Sequence, residues 1–256
     1  MNNFKKIGMT ALAASLVSTS VFAGEVTVAG SASMTVDGYS SSGAQDAGKG
    51  FSMGNQLTFT GGGELDNGMT VGISFVLDQG DEGTTGSQAT SPFDSHSVSI
   101  SSDALGKLVM HGEGGSNAQA ALDTTAAGDI WDTFDGTTTG VAVESSASGA
   151  DILVYTLPEM VDGLSVSASY SPQQASAASS TAYALTYTGV EGLSASYGKG
   201  EENLGSATLD TDTTTMKASY AIGSFTLAYS NNDHSSPVTN ADQETTSYKV
   251  SYTVSD

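Results

Sequence analysis

Residues 51–77 read FSMGNQLTFTGGGELDNGMTVGISFVL, and their alternation decides the fold. Phe51, Met53, Leu57 and Phe59 hold odd positions, with Ser52, Gln56, Thr58 and Thr60 between them. After Glu64-Leu65-Asp66-Asn67-Gly68, the odd positions Met69, Val71, Ile73, Phe75 and Leu77 are apolar again. Successive side chains of a strand point to opposite faces, so this stretch predicts two strands with one apolar and one polar face. Asn67-Gly68 supplies the turn, because both residues tolerate positive φ.

Composition narrows what such a sheet can do. The chain has 256 residues and a formal net charge of −21, with no Cys and no Arg. An acidic chain is a poor partner for nucleic acid, where basic groups displace counterions from phosphates. Without Cys there is no disulfide framework and no thiolate metal site. Three dispersed histidines, His96, His111 and His234, form no spaced ligand set, and no Ser/His/Asp order suggests catalysis. Neither a metal nor a cofactor is expected, and an enzyme is not.

The N-terminus reads as an export signal. Lys5 and Lys6 precede an apolar run from Ile7 to Val17, and Val21-Phe22-Ala23 offers small residues for cleavage. Residues 1–23 are therefore expected to be removed, leaving 24–256 as one β-domain. Losing the two lysines takes the net charge from −21 to −23. No later apolar run is long enough for a transmembrane helix.

The alternation recurs to the end of the chain and predicts twelve strands. Apolar residues alternate from Val26 to Val36, through the two strands of the opening hairpin, and at Val98/Ile100, Leu108/Met110 and Leu153/Tyr155. They recur from Leu164 to Tyr170, Tyr183 to Tyr187, Leu193 to Tyr197, Met216 to Tyr220, Phe225 to Tyr229 and Tyr248 to Val254. Long polar gaps near 38–50, 79–95, 113–149, 171–180, 199–210 and 231–243 alternate with short ones near 64–68, 102–106, 159–163, 189–192 and 221–224. A sheet closed across an outer membrane has such a division, with short turns inside and long loops outside. Tyrosines support it: Tyr170, Tyr183, Tyr197, Tyr229 and Tyr248 fall toward the long loops, and Tyr155, Tyr187, Tyr220 and Tyr252 toward the short turns. Amphipathic rings form such bands at two membrane interfaces. Small polar residues on the other face suit a water-filled lumen better than a dry core.

The third long gap is the candidate constriction. Asp123, Asp129, Asp132, Asp135 and Glu144 lie there, with Trp131 and Phe134 among the acids. Folded inward, such a loop would narrow the pore with a negative rim and favour cations; the alternative is a solvated outer loop. Asp81-Glu82, Glu201-Glu202 and Asp210/Asp212 read as acids of outer loops, either solvated or bridged by Mg²⁺ or Ca²⁺ to lipopolysaccharide phosphates. Gly61-Gly62-Gly63 has no following helix or Lys and reads as close backbone passage or a bend.

The segments EVTVAGSASMTVDG (25–38), QLTFTGGGELDNGMTVGISFVLD (56–78), LGKLVMHGE (105–113) and YTLPEMVDGLSVSASYSP (155–172) resemble the general porins of Gram-negative bacteria, alphaproteobacterial type. The resemblance spans essentially the whole mature chain. It implies an all-β transmembrane antiparallel barrel, a trimer of sixteen-stranded pores, with the third loop folded into the lumen as an eyelet. By that resemblance Asp123, Asp129, Asp132 and Asp135 line the acidic side, with Lys107 and His111 on or near the wall. The implied partners are outer-membrane lipid, lipopolysaccharide, small hydrophilic solutes and cations, with no nucleic acid. Two departures stand out. The family sets an Arg-rich cluster across from the acids, and here no Arg exists, so cation preference is expected. The chain also ends after its twelfth strand, without the family's terminal aromatic. A fragment lacking about four strands is favoured over a smaller closed barrel, because an open sheet leaves unpaired edges in lipid. The functional expectation is an outer-membrane porin for passive diffusion; a secreted or surface-anchored Ca²⁺-binding adhesin is the alternative from another class.

Overall fold

The structure is a computed structural model that describes residues 26–38, 49–78, 94–122, 146, 148–172, 179–203, 210–237 and 242–254. The expected leader, 1–23, lies outside these residues. The strands are β1 (Thr27–Gly38), β2 (Lys49–Glu64), β3 (Thr70–Asp78), β4 (Ser95–Ser102) and β5 (Gly106–Glu113). Two short ones follow, β6 (Gly115–Ser116) and β7 (Ser148–Gly149). Then come β8 (Ile152–Thr156), β9 (Leu164–Ser171), β10 (Ser179–Tyr187), β11 (Leu193–Asn203), β12 (Thr211–Ile222), β13 (Phe225–Ser235) and β14 (Gln243–Tyr252). All but β6 and β7 form one 12-stranded sheet in sequence order, each strand antiparallel to its neighbours. The sheet is not closed: β1 and β14 are its two edges among the described residues. All twelve expected strands are present.

The opening hairpin pairs as its alternation requires. Leu57 lies opposite Leu77 and Phe59 opposite Phe75, so apolar side chains share one face. The Phe59 and Phe75 rings stack with centroids 4.9 Å apart. The turn closes through Leu65 N donating to Met69 O at 2.7 Å, and Gly68 has φ 78°. A Cβ on Gly62 would stand 2.7 Å from the Val71 carbonyl oxygen, so the glycine run serves close backbone passage. The other four short connections also carry a positive-φ glycine: Gly106, Gly163, Gly192 and Gly223.

The molecule is inside-out. Val250 is 73 % exposed and Tyr248 75 %, while the buried residues are mostly Asn117, Gln119, Ser146, Ser169, Ser180, Thr213, Thr215, Ser230 and Asn232. A soluble sheet protein buries its large aliphatics, at about 1.5–3 kcal/mol each. An exposed apolar band with a hydrogen-bonded polar interior is stable where lipid is the outer solvent. Outward rings meet across strands: Tyr183 and Tyr197 at 6.2 Å, Tyr229 and Tyr248 at 5.3 Å, Phe225 and Tyr252 at 4.8 Å.

The strands run further than the apolar pattern suggested. Gaps expected at 199–210 and 231–243 shrink, since β11 reaches Asn203, β12 starts at Thr211 and β13 reaches Ser235. Beyond Tyr229 the outward row becomes Asn231 and Asp233, still paired with Thr246 and Glu244. Alternation ends where lipid contact ends, but the backbone ladder continues into water. Glu201, Glu202 and Asp212 are accordingly strand residues rather than loop residues.

Candidate functional site

The described legs of the third long connection, 114–122 and 146 with 148–149, lie on the inner face of the sheet. Gly114, at φ 67°, turns the chain out of β5, and β6 pairs with β7 through Gly115↔Gly149 and Ser116↔Ser148. That two-residue ladder ties the departing and returning legs together. Asn117 then caps a single 3₁₀ turn, Ala120–Leu122, by accepting from Ala120 N at 2.7 Å through Oδ1.

From there a polar network fixes both legs to the wall. Ala118 N donates to Ser169 Oγ on β9 at 2.9 Å. Gln119 Nε2 donates to Thr215 Oγ1 on β12 at 2.8 Å, and Asn232 Nδ2 on β13 reaches the same oxygen at 2.9 Å. Across the loop, Ser146 N donates to Gln119 Oε1 at 3.0 Å and Asn117 Nδ2 to Ser146 Oγ at 2.8 Å. The Ser146 hydroxyl also bonds Gln119 Oε1. Asn117 and Gln119 are fully buried, so their polar atoms need these partners.

Small wall residues make the recess. Ala182 and Ala184 on β10 are buried with Ala118, and Leu122 packs on them. Gly198 and Gly200 on β11 face the loop: a Cβ on Gly198 would stand 3.0 Å from Leu122 Cδ1, and one on Gly200 would enter the Ser146 side chain. Side chains at those two positions would push the loop off the wall.

The charges divide by height. Glu64, Asp66, Asp103, Glu159, Asp162 and Glu191 sit in or beside the short connections. At the other end, Glu201 and Asp212 lie on the outward face and share Lys199, at 3.0 and 3.2 Å. No described carboxylate occupies the middle of a strand. Lys217 and Lys249 do, and both are on the inward parity, opposite Ser230 and Ala228 of β13.

Lys107 lies on the inward parity of β5 opposite Thr156, one residue from the short connection, beside Glu64, Ser101 and Asp103. His111, half-buried, lies four residues further toward the loop base and opposite Ile152. These two residues are thus about 13 Å apart along one strand. Asp123, Asp129, Asp132 and Asp135 lie outside the described residues. The inward-facing Lys217 and Lys249 went unremarked in the sequence, although strand parity alone places them. The loop anchors, Asn117, Gln119 and Ser146, have no periodic signal.

A family whose description is Gram-negative porin has a sequence model that matches residues 8–256. The chain belongs to the Gram-negative porins. No curated protein matches it in sequence. Among solved structures, this porin resembles a loop L8 deletion mutant of OmpT, an outer membrane protein of Vibrio cholerae. The two share 15 % identity and a TM-score of 0.62, over 91 % of this chain and 78 % of that one. OmpF of Salmonella typhi, in a complex with daunomycin, gives 15 % and 0.59 over 82 % and 66 %. An anion-selective porin from Comamonas acidovorans gives 18 % and 0.53 over 88 % and 73 %. At these identities the likeness is one of fold: antiparallel sheet on the scale of a porin barrel. Family and fold together make the chain an outer-membrane channel protein of a Gram-negative bacterium.

Proposed function

We propose that this porin is a water-filled, cation-preferring channel for passive diffusion of small hydrophilic solutes and ions. It is exported by the 1–23 leader and works as a homotrimer in lipid and lipopolysaccharide. The observation that carries the proposal is the third loop held inside the sheet by Asn117, Gln119 and Ser146. A loop anchored there would narrow the water path. Asp123 directly follows the anchored Leu122, which is what supports taking the acids from Asp123 to Asp135 as lining the constriction. Carboxylates at a constriction concentrate cations and repel anions. With Lys217 and Lys249 on the wall, preference for cations rests on the loop acids and not on the wall. A soluble Ca²⁺-binding adhesin would have to leave the apolar band of Leu227, Tyr248 and Val250 in water.

Single-channel recording of the refolded chain under a KCl gradient tests this. A reversal potential of cationic sign is expected, moving toward neutrality in the Asp129→Asn, Asp132→Asn, Asp135→Asn variant. Absence of conductance would remove the channel, and an unchanged reversal potential would place those acids outside the current path.

A further inference from the structure

We propose that Glu202, Ser180 and Thr211 form a binding subsite for a primary ammonium group on the inner wall, at the outer mouth above the anchor of the third loop. The subsite deepens the channel reading by naming the class of cation held, and rests on it for the route by which that cation arrives. Glu202 on β11 lies opposite Ser180 of β10 and Thr211 of β12, so the three side chains stand in one row on the inward face. Strand spacing sets the two hydroxyl residues about 5 Å to either side of the carboxylate residue. Two residues below Glu202, Gly200 packs against Ser146 of the third loop. A cation entering from outside therefore passes this row before it reaches the anchored loop.

The row is short of partners. Ser180 is 2 % exposed, and the hydroxyl oxygens of Ser180 and Thr211 are buried with no hydrogen-bond partner among the described residues. A native fold rarely leaves such groups unpaired, because each has given up its bond to water. Burial also pushes the Glu202 carboxyl above its usual range, with His234 two strands away pulling it back down. His234 is itself engaged through Nδ1 with Thr213 Oγ1 at 2.9 Å. A carboxylate flanked by two hydroxyls supplies the acceptors that the three donors of a primary ammonium require. Among the described residues no cluster of three His, Asp or Glu side chains could hold a metal ion, so a single carboxylate suits a singly charged organic cation. A cavity of about 460 Å³ touches all three side chains, together with the outward Lys199, Glu201 and Asp212. Lys199 is tied to the last two on the opposite face, so it brings no ammonium of its own to Glu202.

The experiment is titration of methylammonium into the detergent-refolded full chain, followed by the amide resonances of Ser180, Glu202 and Thr211. Saturable shifts are expected. Glu202→Gln should raise the half-saturating concentration about tenfold, as should Ser180→Ala combined with Thr211→Val. Glu244→Gln, the same charge change on the outward face, should leave it unchanged. Tetramethylammonium carries the charge without an N–H donor and should bind about tenfold more weakly. Equal binding of the two cations overturns the subsite, as does equal weakening by Glu244→Gln or the absence of a saturable shift in wild type. Ser180→Ala removes an unpaired hydroxyl, so it should not lower the urea midpoint of the unliganded protein. A lowered midpoint would make that hydroxyl a structural group and overturn its role as a ligand. The titration needs no current: conductance without binding overturns the subsite alone, whereas binding without conductance overturns the channel reading and leaves the row as a binding site.

Discussion

Replacing Gln119 by Leu tests whether the third loop is held by its polar network. The leucine keeps most of the volume but none of the polar atoms. Gln119 donates to Thr215 and accepts from the Ser146 amide and hydroxyl, all in a fully buried position. A net hydrogen bond is worth about 1 kcal/mol, and three are lost. Thr215 keeps its bond from Asn232, and entering water repairs part of the rest. A loss of about 2 kcal/mol in docking free energy remains, a factor of about 30 in the loop's opening equilibrium. Native-state hydrogen exchange reads that equilibrium directly. The amides of Ser146 and Ala118, bonded to Gln119 and Ser169, should each exchange about 30-fold faster in the variant. The Val109 amide, within the β5 ladder, should keep its protection. Equal protection at Ser146 and Ala118 in both proteins would refute the network as the anchor. So would a parallel loss at Val109, which would mean that the sheet itself had loosened.

Gly200→Val should displace the loop while sparing the sheet, because its Cβ collides with Ser146 and Gln119 rather than with wall backbone. The expected result is a raised or fluctuating single-channel conductance from a chain that still refolds. A conductance level indistinguishable from wild type would show that the loop does not rest on β11. Leu227 faces outward between Phe225 and Tyr229, and Leu227→Lys should destabilise the refolded protein by about 2–4 kcal/mol if that position meets the bilayer midplane. Urea titration in lipid vesicles measures it, with Thr226→Lys, inward and only partly buried on the same strand, as control. Equal cost at both positions would remove the assignment of faces.

Most of the fold was legible because a strand writes its two environments into adjacent residues. Leu57, Phe59, Ile73 and Phe75 declare a face without any tertiary information, and Asn67-Gly68 declares the turn. The outer reach of the strands was not legible. From Lys199 to Asn203, and from Thr211 to Thr215, both faces see water or polar loop, so no period remains while the ladder continues. The anchors were hidden for another reason. The bond from Gln119 to Thr215 joins residues 96 apart in sequence, and neither residue differs in type from dozens of polar neighbours. Only Gly198 and Gly200, spaced by two on the inward parity of a strand, hinted that something approaches that wall closely.

The net charge of −21 is a sum over positions that do not act on the same water. At physiological ionic strength an exposed charge is screened beyond about 8 Å, so carboxylates in the short turns hardly reach the mid-height lumen. Glu201 and Asp212 are further removed, being outside the wall and neutralised in part by Lys199. Mid-height, the described wall offers Lys217 and Lys249 and no acid. If the acids from Asp123 to Asp135 line the constriction as proposed, selectivity depends on whether a permeating ion meets them or the wall lysines at closest range. An acidic chain can in this way carry inward lysines at mid-height, so its net charge does not by itself give the sign that a permeating ion meets there.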